Sequence, residues 1–542
     1  MTAGVFQITG NGLNFISPNC TLRGAGPGQG LSTGINGVAT DDRQGTFTTD
    51  SSATQLWKAD RSTNPQYAIL YIGYSGDIAT SVNLAADAAQ GSYSVTLASN
   101  PGLRVGQIVL IDEVTDNDPD VTWGPSFGPP GDGSRRWFIR QDRSLSQMVE
   151  VTAINGNTIT FATPLHHSFL VSEQAQLSTY VNPVLQGVGI EDIFFFGGMG
   201  GDFHGNVSMS LCAYCWVKHV EAMWAVGTNI GFYSTYRSEL RDSYIHETPE
   251  ANPGGGGYLV GLNVAASDNL FENNVMWYGN KEIVMRGTGG GNVVAYNYMD
   301  DSFGSQYPNT SEAGLNAGHY TTPHMELLEG NYSQNYKGDS YWGNSIDITV
   351  FRNWLSALRA AHPPLNTYSV TLGGITYPYG DPEGRIAVDI QAYSLRHNLV
   401  GNVLGKQGET LLSVNNGTYS ATQDAWVFES LSGFPSDNPV IMWNIGAYTA
   451  STTGNLSWVA NTYQTQLRQG NWDWVTKSQT WLGIGGTQGS PNGSPQTIPN
   501  SMYLTSAPAF FGTNIWPWVD PSTGTTYVLP AKARFDAGRP NG

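Results

Sequence analysis

Cysteine, positive charge and long apolar runs are all scarce in this sequence, and each shortage excludes a class of protein. Three cysteines in 542 residues are too few for a disulfide framework. The Cys212-Ala213-Tyr214-Cys215 spacing has the outline of a redox or zinc half-site. No second pair completes a metal site, however, and a buried pair of small apolar side chains is expected. Lys and Arg number 25 against 43 Asp and Glu, for a formal net charge of -18. Nucleic acid needs a basic footprint and is excluded as a partner. A polyanionic glycan is disfavoured unless calcium or a local basic patch reverses the field; a neutral sugar chain meets no such penalty. No stretch reaches the ~18 apolar residues of a membrane span. Phosphate loops, Gly-x-Ser-x-Gly elbows and His-Glu-x-x-His motifs are also missing.

What is abundant points to strands. With 66 Gly, 28 Pro and only 13% charged residues, the chain reads as many short strands joined by turns, and long amphipathic helices are hard to find. Apolar content of 40% and aromatic content of 12% suffice for a packed core, so disorder is not expected. No signal peptide is visible, and Ala3-Gly4-Val5-Phe6-Gln7-Ile8 already reads as a strand. Such an opening fits an exported protein whose leader has been removed, and equally one that never had a leader.

From about residue 186 a short pattern recurs: polar, apolar, apolar, two variable residues, Asn, apolar. It appears as Asn269–Val275, Asn292–Tyr298, Glu326–Tyr332, Ile348–Trp354 and His397–Val403. The apolar residue three before the Asn marks Phe271, Val294, Leu328, Val350 and Leu399, and looser copies put Val217 and Leu240, the latter with Ser243, at the same place. The steps between markers are 23, 31, 23, 34, 22 and 49 residues, about one solenoid coil each, with the last step expected to span two coils. Each Asn is expected to tolerate left-handed backbone at a bend and to hydrogen-bond to the Asn one coil away.

This coil motif resembles the pectate-lyase-like superfamily of right-handed parallel β-helices, which includes polysaccharide lyases, glycoside hydrolases, uronate epimerases and phage tailspikes. The resemblance covers residues 186–410 well and 3–80 loosely, and it speaks to fold more than to activity. It implies an all-β solenoid with a groove facing polysaccharide. Residues 1–83 are expected to form N-terminal coils and residues 173–414 the central β-helix. Alternating strands in 84–172, with a hairpin turn at Asn155-Gly156-Asn157, predict an inserted antiparallel subdomain. Residues 415–542 are expected to supply later coils and a cap that shields the terminal edge.

Reactive side chains concentrate between residues 300 and 352. Asp300-Asp301 followed by Gly318-His319 loosely resembles the polygalacturonase arrangement, although no Asn-Thr-Asp precedes the pair and no Arg-Ile-Lys follows His319. Paired carboxylates are what glycoside hydrolysis needs; solvated turn carboxylates are the alternative. Glu326, with His324 two residues before it on the same face of an extended segment, is a second candidate acid or base, and His319 can join them across a loop. Trp277, Tyr341 and Trp342 are expected to stack on sugar faces, and Arg352 to grip an acidic sugar or to form a structural ion pair. Asp116, Asp118 and Asp120 place oxygens at alternating positions, as a loose calcium site does, without the Gly and Glu of an EF-hand. The expected function is an extracellular or cell-surface glycoside hydrolase with no required cofactor. A uronate lyase and a non-enzymatic adhesin, tailspike or surface filament are the alternatives. Nothing in the sequence decides between monomer and homo-oligomer.

Overall fold

The computed structural model describes residues 1–28, 51–60, 68–124, 127–131, 133–135, 137–198, 205–248, 256–302, 313–359, 369–372, 375–378, 386–407, 441–446, 461–462, 464–474, 476–484, 495–538 and 541. Its frame is a right-handed parallel β-helix in which each coil contributes to three stacked ladders. The first ladder runs through Trp216–Lys218, Glu239–Arg241, Leu270–Glu272, Val293–Ala295, Leu327–Glu329, Thr349–Phe351 and Asn398–Val400. The second includes Glu221–Met223, Tyr244–His246, Val275–Trp277, Tyr298–Asp300 and Tyr332–Ser333. The third includes Val207–Ala213, Thr228–Tyr236, Tyr258–Asn263, Lys281–Arg286, Ala313–Asn316, Tyr336–Gly338 and Ile386–Ile390. No helix among the described residues is long and apolar enough to cross a membrane.

The marker residues from Val217 to Leu399 all pair in register and lie buried in the central core. Val350 pairs directly with Leu399, so the 49-residue step is one long coil and not two. Insertions leave the ladders untouched because each coil contacts only its neighbours.

The Asn of the motif forms an amide ladder along the bend between the first two ladders. Asn274 Nδ2 donates to Asn297 Oδ1 at 2.9 Å, Asn297 to Asn331 at 3.0 Å, Asn331 to Asn353 at 2.9 Å, Asn353 to Asn402 at 3.2 Å and Asn402 to Asn471 at 2.9 Å. The left-handed backbone, however, belongs to the residue before the Asn. Asn273, Tyr296, Gly330 and Arg352 hold it at φ values of 58°, 55°, 64° and 50°, and Asp242, before Ser243 at the same bend, at 53°. At Gly330 an added Cβ would stand 2.4 Å from the Tyr296 ring, so this coil needs glycine for closeness as well as for φ.

The predicted insertion is a six-stranded antiparallel sheet from Ile78–Asn83 to Gln176–Tyr180, slightly wider than residues 84–172. Gly156, at φ 60°, turns its hairpin. The C-terminal region continues the coils with Ile441–Ile445 and Leu467–Asp473 and then divides in two. The terminal edge is closed by the strand Ser478–Leu482 pairing antiparallel with Leu467–Asp473. The segment after residue 495 instead runs back along the outside of the helix. Trp518 Nε1 donates to the Gly330 carbonyl at 2.6 Å, Arg534 bonds Asn273, and Asn541 Nδ2 donates to Glu221 at 2.6 Å. The reason is the outer face of the second ladder. Tyr244, Trp277, Tyr298 and Tyr332 form an aromatic stripe there, and Phe511, Trp518 and Phe535 bury it.

Candidate active site

The outer face of the third ladder carries a set of acid–base and cationic groups apart from that covered stripe. Its floor is small: a Cβ on Gly261 would stand 2.9 Å from Asn263 Nδ2 and 3.3 Å from Arg286 Nη2. Long side chains from neighbouring coils therefore lie flat across it. Arg286 Nε donates to Asn263 Oδ1 at 2.6 Å and Nη2 to Thr228 Oγ1 at 3.1 Å, while its guanidinium stacks 3.6 Å from the Trp137 ring of the insertion.

His319 lies over this floor, three residues beyond the strand Ala313–Asn316. Its Nδ1 is 2.7 Å from Asp339 Oδ2 and its Nε2 is 3.3 Å from the Tyr258 hydroxyl. An ionised carboxylate only accepts, so Nδ1 carries the proton and Nε2 accepts from Tyr258. Burial pushes the His319 imidazole below the ordinary histidine value; Lys281 and Arg286 push the same way, against the pull of Asp339. Burial works against the Asp339 carboxylate, yet His319, Lys281 and Lys337 outweigh it and hold its pKa below the usual aspartate value. The result is a neutral imidazole with a lone pair at Nε2, oriented by an anion and flanked by cations. Trp137, Phe138, Tyr233 and Tyr320 form an aromatic wall with the partly buried Trp123, Phe127 and Trp342.

Tyr341 and Trp342, predicted as sugar platforms, stand at the rim of this wall: Trp342 stacks on Tyr320 at 4.8 Å, and Tyr341 is 48% exposed. The other predicted residues lie elsewhere. Asp300 accepts from the Tyr298 and Tyr332 hydroxyls at 3.3 and 3.2 Å, under the C-terminal segment. Asp301 is buried at 3.5 Å from Arg359 Nε. Neither is brought to His319 by any contact among the described residues. Trp277 donates to the Tyr244 hydroxyl at 2.6 Å and packs against Phe535, so it secures the C-terminal segment. Arg352 does the same, donating to the carbonyls of Pro499, Ile498 and Val519.

His324 and Glu326 are not paired. Met325 between them has φ 51°, which breaks the alternation that put both on one face. Glu326 ends a second amide ladder. Asn269 Nδ2 donates to Asn292 Oδ1 at 2.8 Å, and Asn292 Nδ2 and N–H donate to the two Glu326 oxygens at 3.1 and 2.9 Å. Burial raises the Glu326 pKa to about 7, and burial lowers that of His324 to about 3. The calcium loop does not assemble either: Asp116 pairs with Arg135 at 2.7 Å and Asp120 with Arg396 at 2.9 Å.

Sequence reasoning missed Tyr258, Lys281, Arg286 and the role of Asp339. The coil period was the available signal: Tyr258 pairs in register with Lys281 and Asn263 with Arg286, one 23-residue step apart. A cleft of about 530 Å³ between residues 101–108 and 179–186 is lined by no carboxylate or histidine.

No protein-family model and no curated protein matches this chain. Among solved structures it is similar to the tailspike protein gp49 from Pseudomonas phage LKA1, at 14% identity over 75% of this chain and 55% of that one, with a TM-score of 0.44. It is also similar to the Gp54 tailspike of Acinetobacter baumannii bacteriophage AP22 in complex with A. baumannii capsular saccharide, at 12% identity over 74% and 63% of the two chains and a TM-score of 0.37. DFA-IIIase from Arthrobacter chlorophenolicus A6 in complex with GF2 gives 11% identity over 74% and 76%, with a TM-score of 0.31. The chain thus spans 55% and 63% of the length of these two tailspikes. Stacked parallel ladders and Asn-lined bends make this the fold of a right-handed parallel β-helix.

Proposed function

We propose that the protein binds an acidic polysaccharide along the outer face of the third ladder, outside the cell or at its surface, and cleaves it by β-elimination. The observation that carries this reading is the Asp339–His319–Tyr258 chain set among Lys281, Arg286 and Lys337 in a protein of net charge -18. Elimination next to a uronate needs the carboxylate neutralised, a base for the adjacent C–H and an acid for the leaving oxygen. The cations answer the first need. His319 Nε2 takes the proton, the electrons of the C–H bond form the double bond, and the C–O bond to the leaving sugar breaks. The Tyr258 hydroxyl protonates the departing oxygen, and the imidazolium returns its proton to Tyr258. The wall of Trp137, Tyr320 and Trp342 supplies stacking surface for the sugar rings.

Hydrolysis by paired carboxylates is the second reading. Its support is Glu282, whose carboxyl is pushed well above the ordinary glutamate value by burial and by the charges of Asp300 and Asp301, since an acid and a base with separated pKa values are what inverting or retaining cleavage requires. Asp300 already accepts from the Tyr298 and Tyr332 hydroxyls and Asp301 faces Arg359 Nε at 3.5 Å, which places this reading second.

A panel of uronic-acid and neutral polymers, with mass spectrometry of the products, separates the readings. Unsaturated oligosaccharides support elimination. Products one water heavier support the carboxylate set, and binding without products makes the protein an adhesin.

A further inference from the structure

The insertion carries five acids in one short stretch, and their partners divide them sharply. Asp112 is held by Arg140 and, at 3.2 Å, by Arg143; Asp116 is held by Arg135, and Asp120 by Arg396. Glu113 and Asp118 meet no lysine or arginine in an ion pair among the described residues. Instead they converge with His167: one donor atom from each lies within 4.8 Å of the others. Glu113 is fully buried; its Oε2 accepts the Leu170 N–H at 2.7 Å, whereas Oε1 has no hydrogen-bond partner and lies 3.5 Å from His167 Nε2. A buried carboxylate oxygen without a donor is costly. Two ligands on a tetrahedral zinc ion, each at about 2.1 Å, stand about 3.4 Å apart, which is the separation this pair shows. A further buried and unpartnered nitrogen, Nε2 of His324, belongs to an imidazole whose ring centre is 6.1 Å from that of His167.

We propose that Glu113, Asp118 and His167 form a site for a first-row divalent transition ion, with zinc as its representative. One imidazole and two carboxylates suit such an ion, while calcium takes oxygen donors alone. Asp118 and His167 are only partly buried, which leaves an entry path and room for water as the remaining ligand. The site secures a strap. Past Asp118, the Asp120 carbonyl accepts from Asn344 Nδ2 at 2.7 Å, and the Thr122 N–H donates to Asn344 Oδ1 at 2.9 Å. The next residue, Trp123, meets Phe127 and Phe138 edge-on. An ion at Glu113 thus anchors the chain that places part of the aromatic wall. The site stands on its own geometry, whatever the groove cleaves.

Chelator-stripped full-length protein, titrated calorimetrically with zinc chloride and assayed for retained metal after gel filtration, tests this. One zinc per chain is expected, with a rise in melting temperature. His167→Ala should weaken binding by more than the roughly 10–100-fold that outer-shell partners govern, and Glu113→Gln should do likewise. His219→Ala, which removes the half-exposed histidine paired with Asp192, should leave binding unchanged. His167→Asn serves as the second variant, with near-ultraviolet circular dichroism showing that each variant is folded. The site is refuted if the stripped protein takes up no zinc, if folded His167 variants bind as well as the parent, or if calcium binds more tightly than zinc.

Discussion

Two outer faces of one solenoid carry nearly the same chemistry, and they differ in what surrounds it. On the second ladder His246 stacks 3.8 Å from Tyr244 and touches two carboxylates, Glu221 at 3.0 Å and Glu247 at 2.7 Å. On the third ladder His319 touches one carboxylate and a tyrosine and has Lys281 and Arg286 as neighbours. Burial pushes both imidazoles down. At His246 the hydrogen bonds and charges of Glu221 and Glu247 outweigh burial and the pKa rises; at His319 burial, with Lys281 and Arg286 acting the same way, outweighs the pull of Asp339 alone and it falls. One histidine is therefore held toward its charged form under the C-terminal segment, and the other toward its neutral form over a floor of small residues. Residue type does not distinguish the two faces. The balance between burial and the neighbouring charges does.

The largest effect expected from breaking this contrast is on turnover. His319→Ala should lower kcat by about 10²–10⁴-fold, the usual contribution of a positioned general base. His246→Ala should leave kcat near the parent value and lower the melting temperature, since it removes the imidazole that Glu221 and Glu247 share. The pH dependences also oppose each other. Activity resting on neutral His319 should persist below the ordinary histidine pKa of about 6.5 and fall only as pH drops through its lowered value. Stability drawn from the charged His246 is complete below about 6.5 and is lost as pH rises through its raised value. Parallel pH–rate and pH–melting curves check both, and a His246→Ala enzyme that is folded but inactive would overturn the contrast.

Next in size is the cover itself. Trp518 is 1% exposed and donates to the Gly330 carbonyl, so Trp518→Ala should cost about 3–5 kcal/mol and expose the aromatic stripe of the second ladder. Dye binding and hydrogen exchange along Tyr298 and Tyr332 should report that exposure. If exchange instead rises over the third ladder, the C-terminal segment covers the groove, and the two faces are not separate.

The coil itself was legible because its cause is local and periodic. An Asn three residues past a buried apolar residue recurs whenever an amide ladder must be continued, and Phe271, Val294, Leu328 and Val350 mark the register one coil at a time. Insertions blurred it at the 49-residue coil and hid the next marker, since Arg468 follows Leu399 by 69 residues. The site was less legible. His319 was visible as a histidine beside Gly318, but its partners are a coil or more away in sequence and conventional for a strand in type. Asp300 and Arg352 drew attention as charges in an apolar repeat, and that is also what anchors a returning C-terminal segment. Glu326 misled for the same reason, because it occupies an Asn position in the amide ladder preceding the first strand.

That substitution gives a smaller, sharper test. Glu326 titrates at about 7 in the folded protein against about 4.3 for a free glutamate. The folded state thus holds a proton that the unfolded state releases. Stability is full below the unfolded value, falls as pH rises through the interval and stays lower above about 7, by on the order of 3 kcal/mol. Glu326→Gln should flatten this part of the pH–stability curve and leave turnover intact. Unchanged slope with lost turnover would return Glu326 to the catalytic groups.

The smallest effect separates platform from rim. Trp342 is partly buried and stacked on Tyr320, whereas Tyr341 is 48% exposed and meets Trp342 edge-on at 5.4 Å. A ring already ordered by its neighbours loses little freedom when a sugar stacks on it, and a mobile ring must first be immobilised. Trp342→Ala should therefore raise KM several-fold, in line with the about 0.5–1.5 kcal/mol that aromatic contacts add beyond buried area, while kcat stays near the parent value. Tyr341→Ala should change KM by less than half as much in free energy. Were Tyr341 the more costly loss, the sugar would lie across the outer rim, away from His319 Nε2, and the elimination chemistry assigned to that nitrogen would lose its substrate.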